Sequence, residues 1–275
     1  MPAFRINISL PVLALCCLLA TCIPSGSNAA PELPRTTKPF ANRPDNFQFV
    51  IVGDRTGGHR PGVFAHAIER INALQPEFVV GVGDLIEGYK EDEAALNREW
   101  DEFDAIVNGL DMPFFYTVGN HDMGNEVSRE QWLQRNGRDY YHFLYREVLF
   151  LSLNTEDPPV LLSPETLARQ AWLEATMLED PERVRRLLRE RRSSSGAGAG
   201  QPKLPGAVAI SDKQVAWVEQ VLAEHPDVRW TIFLMHKPAW EYGSPAFERI
   251  ETLARGRPYT VIAGHEHYYN YSRRR

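Results

Sequence analysis

Past residue 22 the chain contains no cysteine: all three (Cys16, Cys17 and Cys22) lie near its N-terminus. A mature chain beginning near Ala30 would therefore hold no disulfide, even in an oxidising destination. Cationic excess is also missing. Lys and Arg number 30 against 36 Asp and Glu, a formal net charge of −6, which argues against nucleic acid as the main partner. No G-x-G-x-x-G and no G-K-[ST] occurs, and the glycine-rich Gly53 to Gly58 puts Asp54 where a phosphate would sit, so a nucleotide-binding loop is excluded. No G-x-S-x-G elbow occurs, which disfavours an α/β-hydrolase. A long internal repeat is absent too. What remains, 43% hydrophobic and 24% charged residues, is the composition of an ordinary globule.

The N-terminus reads as a signal peptide over residues 1–29. Arg5 is its charged head, Leu10 to Ile23 its apolar stretch, and Ser27-Asn28-Ala29 supplies small residues for cleavage. That stretch is too short to span a membrane comfortably, and no transmembrane segment is expected in the mature chain. The expected location is secreted or periplasmic. Leu19-Ala20-Thr21-Cys22 faintly resembles a lipoprotein signal that would anchor Cys22 in lipid, but Thr21 is an awkward residue at the cut. Residues 30–46, rich in Pro and polar groups, read as a linker.

From Phe47 the pattern is strand, helix, strand, helix, strand. Apolar runs at Phe47–Val52, Phe78–Val82 and Pro113–Val118 alternate with helical periodicity at Val63–Leu74 and Glu91–Leu110. Short links between such elements imply a parallel sheet wound in the right-handed sense. Ser128 to Gln131 reads as a capping box opening a short helix. Tyr140–Tyr145 and Val148–Asn154 read as a hairpin. Residues 163–192 read as a charge-rich helical segment broken at Asp180-Pro181, and Ser193 to Gly200 as a flexible link. The stretch 156–209 thus looks inserted into a compact domain. Its arginines (Arg183, Arg185, Arg186, Arg189, Arg191 and Arg192) either attract an anionic substrate or form a solvated face. A second capping box at Ser211 opens another helix, and strands follow at Trp230–Met235 and Tyr259–Ala263.

Five of these strands end in groups able to bind a metal: Asp54, Asp84, Asn120, His236, and the pair His265 and His267. Each alone is compatible with a turn or a surface residue. Together, at the carboxyl ends of strands in an α/β chain, they point to one site.

Gly53-Asp54, Gly83-Asp84, Gly119-Asn120-His121-Asp122, His236 and Gly264-His265-Glu266-His267 stand in the order found in the calcineurin-like metallophosphoesterases, kin of purple acid phosphatases and many phosphodiesterases. The chain resembles that family from Phe47 to its end, outside the insertion. The resemblance implies an α/β fold, a four-layer α/β/β/α sandwich of two mixed β-sheets flanked by helices, and a two-metal site. Asp84 would bridge two ions; Asn120, His236 and His265 would complete one shell, and Asp54 and His267 the other. A mixed nitrogen and oxygen shell suits Mn, Fe, Zn or Co. It further implies hydrolysis of a phosphomonoester or phosphodiester small molecule by a metal-bridging hydroxide. His121 would protonate or stabilise the leaving oxygen, and Asp122 would fix its tautomer.

Two positions depart from the family pattern. Thr56 stands where a His is common two residues after the first Asp, which leaves one metal short of a strong donor unless His59 or water supplies it. Glu87 stands where purple acid phosphatases carry their iron-binding Tyr, which argues against an iron–tyrosinate enzyme. The family usually continues with further strands where this chain has eight residues left after His267, so a C-terminally truncated domain is an open alternative. From another class comes the rival reading, a secreted metal-binding scaffold that keeps the fold without turnover.

Overall fold

A computed structural model describes residues 33–40, 47–57, 59–159, 161–194 and 208–273. The leader and the Ser/Gly/Ala link from 195 onward fall outside the described residues.

Two sheets form the centre. The first holds three parallel strands in the order β1 (Phe49–Val52), β2 (Phe78–Gly81) and β3 (Phe114–Phe115). Helices α1 (Val63–Leu74) and α2 (Glu93–Val107) are its crossovers, and α3 (Glu126–Asn136) follows β3. The second sheet has the order β4 (Tyr141–Tyr145), β5 (Val148–Ser152), β6 (Trp230–Met235) and β7 (Tyr259–Ala263). Its first pair is antiparallel, the hairpin, and the other pairs are parallel. Between β5 and β6 come α4 (Pro164–Glu179), α5 (Pro181–Ser194) and α6 (Asp212–Glu224), and α7 (Pro245–Leu253) joins β6 to β7.

Alternation along the strands builds the layers, because neighbouring side chains leave a strand on opposite faces. In β2, Val79 joins the core under α1–α3, whereas Phe78 and Val80 join the core between the sheets. In β5, Leu149 and Leu151 face the helices of the second sheet while Val148 and Phe150 face inward. Aromatic rings seal the inner layer: Phe143 stacks on Phe115 at 3.9 Å and on Phe150 at 4.7 Å. Such pairs add about 0.5–1.5 kcal/mol each beyond the area they bury. The result is helix, sheet, sheet, helix.

Three local expectations are corrected. The three described strands of the first sheet are all parallel, and its mixed character comes from the supposed linker. Arg35 bridges Phe115 in antiparallel sense, with Thr36 N–H donating to Phe114 O (2.9 Å) and Tyr116 N–H to Pro34 O (2.8 Å). Pro34 is tolerated there because only its carbonyl is needed. Leu33 and Phe40 pack into the inter-sheet core, so residues 33–40 are no free tether. Helix α3 starts at Glu126, two residues before the expected box, because Asn125 Oδ1 accepts the Ser128 N–H (2.8 Å). The Ser211 cap stands as read, its hydroxyl accepting from Gln214 N–H at 3.2 Å.

The segment 156–209 enters and leaves at one point. Glu156 and Ala209 form a parallel bridge, with Asp157 N–H donating to Ala209 O (3.0 Å) and Ala209 N–H to Thr155 O (2.9 Å). Beyond that bridge Met177 and Val184 are buried and line a hollow shared with Arg55, Thr56 and Gly57, and Glu174 of α4 binds Lys90 at 2.9 Å. No helix among the described residues is long and apolar enough to cross a membrane.

Candidate metal centre

Strand β6 passes directly into His236, β1 and β7 reach Asp54 and His265 after one glycine, β2 reaches Asp84 after Val82 and Gly83, and β3 reaches Asn120 after four more residues. Parallel strands in neighbouring positions place those ends together, where open α/β folds carry their sites. The backbone there is unusual. Asp54, Asp84, His265 and His267 have φ between 51° and 73°, a region that costs a non-glycine residue about 1–3 kcal/mol. Glycines make room for the crowding. A Cβ at Gly119 would overlap the Asp84 carboxylate, and one at Gly264 would stand 2.5 Å from Asp54 Oδ2.

At the first position Asp84 Oδ2 lies 3.1 Å from His236 Nε2, Asn120 Oδ1 3.0 Å from the same nitrogen, and His265 Nδ1 3.2 Å from it. Ligand atoms of Asp84, His236 and His265 all fall within 4.8 Å of one another. The other nitrogen, His236 Nδ1, donates to Val82 O at 2.8 Å, so in the neutral ring Nε2 carries the lone pair. Asn120 is turned the same way, because its amide nitrogen donates to the Tyr89 hydroxyl at 2.6 Å. Lone pairs of a carboxylate, an amide and two imidazoles thus converge on a buried point, and a cation satisfies them all. The donor set fits a divalent metal. Electrostatics agree. Burial alone would depress the His236 imidazolium, yet Asp84 beside it pushes the group up to about 9. Burial likewise opposes the Asp84 carboxylate, but the charges of His236 and His121 hold it well below the usual range.

Beside this point Asp54 Oδ1 lies 3.4 Å from His267 Nε2 and accepts the His265 N–H at 2.7 Å. This pair, with Asp84 adjacent, forms a second and thinner set of donors. Thr56 adds nothing to it: it is buried, with its hydroxyl 3.3 Å from the Asp84 carbonyl. His59 lines a different cavity, together with Arg55 and Glu102, rather than the groove that contains Asp54 and His267. What faces the pair is the backbone of Gly57, where a Cβ would stand 3.3 Å from His267 Cε1 and 3.6 Å from His121 Nε2.

His121 reaches the centre, and Asp122 does not. His121 Nδ1 bonds the Glu87 carbonyl at 2.7 Å, which leaves Nε2 pointing inward, 4.0 Å from Asp84 Oδ2. The tautomer is therefore set by a backbone carbonyl, and the expected orienting role of Asp122 is corrected. Asp122 is fully buried and accepts N–H bonds from Leu85 (2.8 Å), Ile86 (3.1 Å) and Gly119 (2.8 Å), tying the loop after β2 to the loop after β3. Burial, then the charge of Asp84, raises it to about 6 against those three donors.

Sequence reasoning missed Tyr89, whose ring meets His121 edge-on at 4.7 Å while its hydroxyl holds Asn120. It also missed a buried ion pair next to His236, Lys237 Nζ to Glu156 Oε1 at 2.7 Å. The dipeptide His236-Lys237 and the acid opening the insertion were the available signals. Around the cluster, Arg55 donates to Leu85 O and pairs with Glu102, and Tyr242 donates to Glu266 with its ring 6.1 Å from that of His265, whereas Tyr269 is exposed.

Residues 47–269 match the model of the calcineurin-like phosphoesterase domain. The chain belongs to the calcineurin-like phosphoesterase family. Among curated relatives, a serine/threonine-protein phosphatase CPPED1 from Danio rerio is 33% identical over 121 residues, which cover 39% of this chain and 38% of that protein. A probable glycerophosphodiester phosphodiesterase GpdQ from Arcobacter nitrofigilis is 24% identical over 179 residues, 63% of this chain and 47% of that one. The matched segments thus span less than half the length of either relative. A solved dimetal phosphatase from Danio rerio superposes with a TM-score of 0.54 at 14% identity, covering 80% of this chain and 82% of that one, and shares its fold. In this calcineurin-like phosphoesterase, the strand-end cluster lies within the matched residues.

Proposed function

We propose that this chain is an exported, metal-dependent phosphoesterase that hydrolyses a phosphomonoester or phosphodiester at a two-metal centre. One observation carries the reading: Asp84, Asn120, His236 and His265 aim acceptors at a single buried point, with Asp54 and His267 beside it. Asp84, Asn120, His236 and His265 would hold one ion, and Asp54, Asp84 and His267 the other. Mn, Fe, Zn and Co suit that mixed donor set. Two such ions, when bound, supply an acidified water and a clamp for the phosphoryl oxygens.

The chain's own residues provide the rest. Asp84 keeps Oδ1 on the His121 N–H (3.0 Å), so Oδ2 is held toward the centre. His121 is anchored through Nδ1 on the Glu87 carbonyl and presents Nε2 to the departing oxygen, to which the protonated ring delivers its proton. Tyr89 fixes both the Asn120 amide and the His121 ring. Export rests on the N-terminal leader alone, and with it a secreted or periplasmic location.

A second reading, a secreted metal-binding scaffold without turnover, draws on Thr56, whose buried hydroxyl serves the Asp84 carbonyl and leaves the second set thin. Hydrolysis of aryl phosphate mono- and diesters, with each of the four metals in turn, separates the two. Metal-dependent release of the aryl alcohol, lost in Asp84→Asn, is the expected result. Stoichiometric metal binding with no release from any ester establishes the scaffold.

A further inference from the structure

The inserted helices help to wall the candidate centre. Met177 of α4 lines two hollows that share the loop of Arg55, Thr56 and Gly57. The smaller, about 230 Å³, has the acids Glu87, Glu99, Glu102 and Glu174 in its wall. The larger, about 650 Å³, has the opposite character. It contains Asp54 and His267, and its walls carry Arg60 from the loop after β1 and Arg185 and Arg189 from α5.

These three arginines are not absorbed by the fold in the way their neighbours are. Arg55 is held by Leu85 O and Glu102, and Arg183 lies over the Trp172 ring at 5.4 Å. Arg185 pairs with Glu182 of its own helix, an exposed pair of the kind that is worth little and exchanges readily. Among the described residues no ion pair engages Arg60 or Arg189. Arg185 and Arg189 are four residues apart on one helix face, where like charges repel. An anion bound between them and Arg60 removes that repulsion, and the guanidinium fork matches phosphate oxygens two at a time. Three cations exceed what one carboxylate neutralises.

We propose that this groove is a subsite for a second phosphate group, so that the preferred ester carries another phosphate several bonds from the scissile one, held by Arg60, Arg185 and Arg189. The inference rests on the phosphoesterase reading and names the substrate class of that centre. It also gives the inserted segment a role: α5 brings two of the three cations.

Calorimetric titration of the metal-loaded protein with non-hydrolysable probes tests it. Propylphosphonate is compared with alkane bisphosphonates of increasing chain length and with a phosphonate bearing a terminal carboxylate. The best bisphosphonate is expected to bind about 10–100-fold more tightly than propylphosphonate, the range for a few charge-assisted bonds. The carboxylate probe should gain less, and added salt should shrink the advantage. Arg185→Gln with Arg189→Gln should remove most of the gain and leave propylphosphonate affinity unchanged, which also shows the variant folded. Arg60→Gln, outside the insertion, should act in the same direction. Equal affinity for mono- and bisphosphonates, or an advantage that survives all three substitutions, overturns the subsite while leaving aryl phosphate hydrolysis in place. If propylphosphonate does not bind and no aryl ester is cleaved, the phosphoesterase reading fails and the subsite fails with it.

Discussion

Asn120 donates its amide to the hydroxyl of Tyr89 at 2.6 Å, and that bond decides which end of the amide faces the candidate metal-binding cluster. Without it the NH2 group can turn toward His236 and offer donors where a cation needs an acceptor. Tyr89→Phe should therefore weaken metal binding at the Asp84–His236–His265 position by about 10–100-fold, the range for groups that orient metal ligands. Melting temperature should change little. Metal titration of the apo-protein checks this, and an unaltered affinity would show that packing alone orients Asn120.

His121→Ala should leave metal content intact and lower turnover by about 10²–10⁴-fold, as for a lost general acid. The loss should be smaller for esters with very good leaving groups, which need little protonation. Equal losses on good and poor leaving groups would remove the proton-donor role. Asp122→Asn gives the contrasting outcome. Because Asp122 binds three backbone N–H groups rather than His121, its substitution should lower stability and activity together.

Glu156 and Lys237 form a buried pair, and breaking such a pair costs more than removing it whole. Lys237→Met alone should destabilise the fold by about 3–5 kcal/mol, leaving Glu156 charged and unpaired. Lys237→Met with Glu156→Leu should recover most of that loss. Denaturant unfolding of the single and double variants decides; additive losses would mean the two side chains do not depend on each other.

A pH effect is expected at β4. His142 is half-buried, with its ring 5.5 Å from His225 and 5.9 Å from Trp217. Burial, then the neighbouring His225 charge, lowers its pKa from the ordinary value. The unfolded chain thus takes up a proton near pH about 6.5 that the fold resists. Its contribution is fully present above that pH and is lost as pH falls from there to the depressed folded value. The stability of wild type relative to His142→Gln should decline across that window, and a difference independent of pH would show that the ring titrates alike in both states.

The residues proposed as metal ligands were legible as a cluster because each follows an apolar run. Asp54, Asp84 and His236 need only their strands to be recognised for their place at one sheet edge to follow. Side-chain direction was not legible. Asp122 adjoins His121 in sequence, yet it turns to N–H groups of Leu85 and Ile86, 37 and 36 residues away in the chain. Tyr89 was hidden for the same reason, since its partner Asn120 lies 31 residues on. Residues 33–40 carry no strand period, so the Arg35–Phe115 bridge could be found only from the sheet it completes. Nor does the spacing of the arginines say which way α5 faces.

The proposed two-metal centre has one strong and one thin set of donors. Titration of apo-protein with Mn²⁺, following bound metal and aryl phosphate hydrolysis in the same sample, tests it most directly. Asp84, Asn120, His236 and His265 should fill first. Asp54 and His267, with Asp84 shared and Thr56 turned away, should fill later, and turnover should rise only with that second ion. A single binding step, turnover complete at one ion per chain, or turnover in metal-free protein would contradict the account.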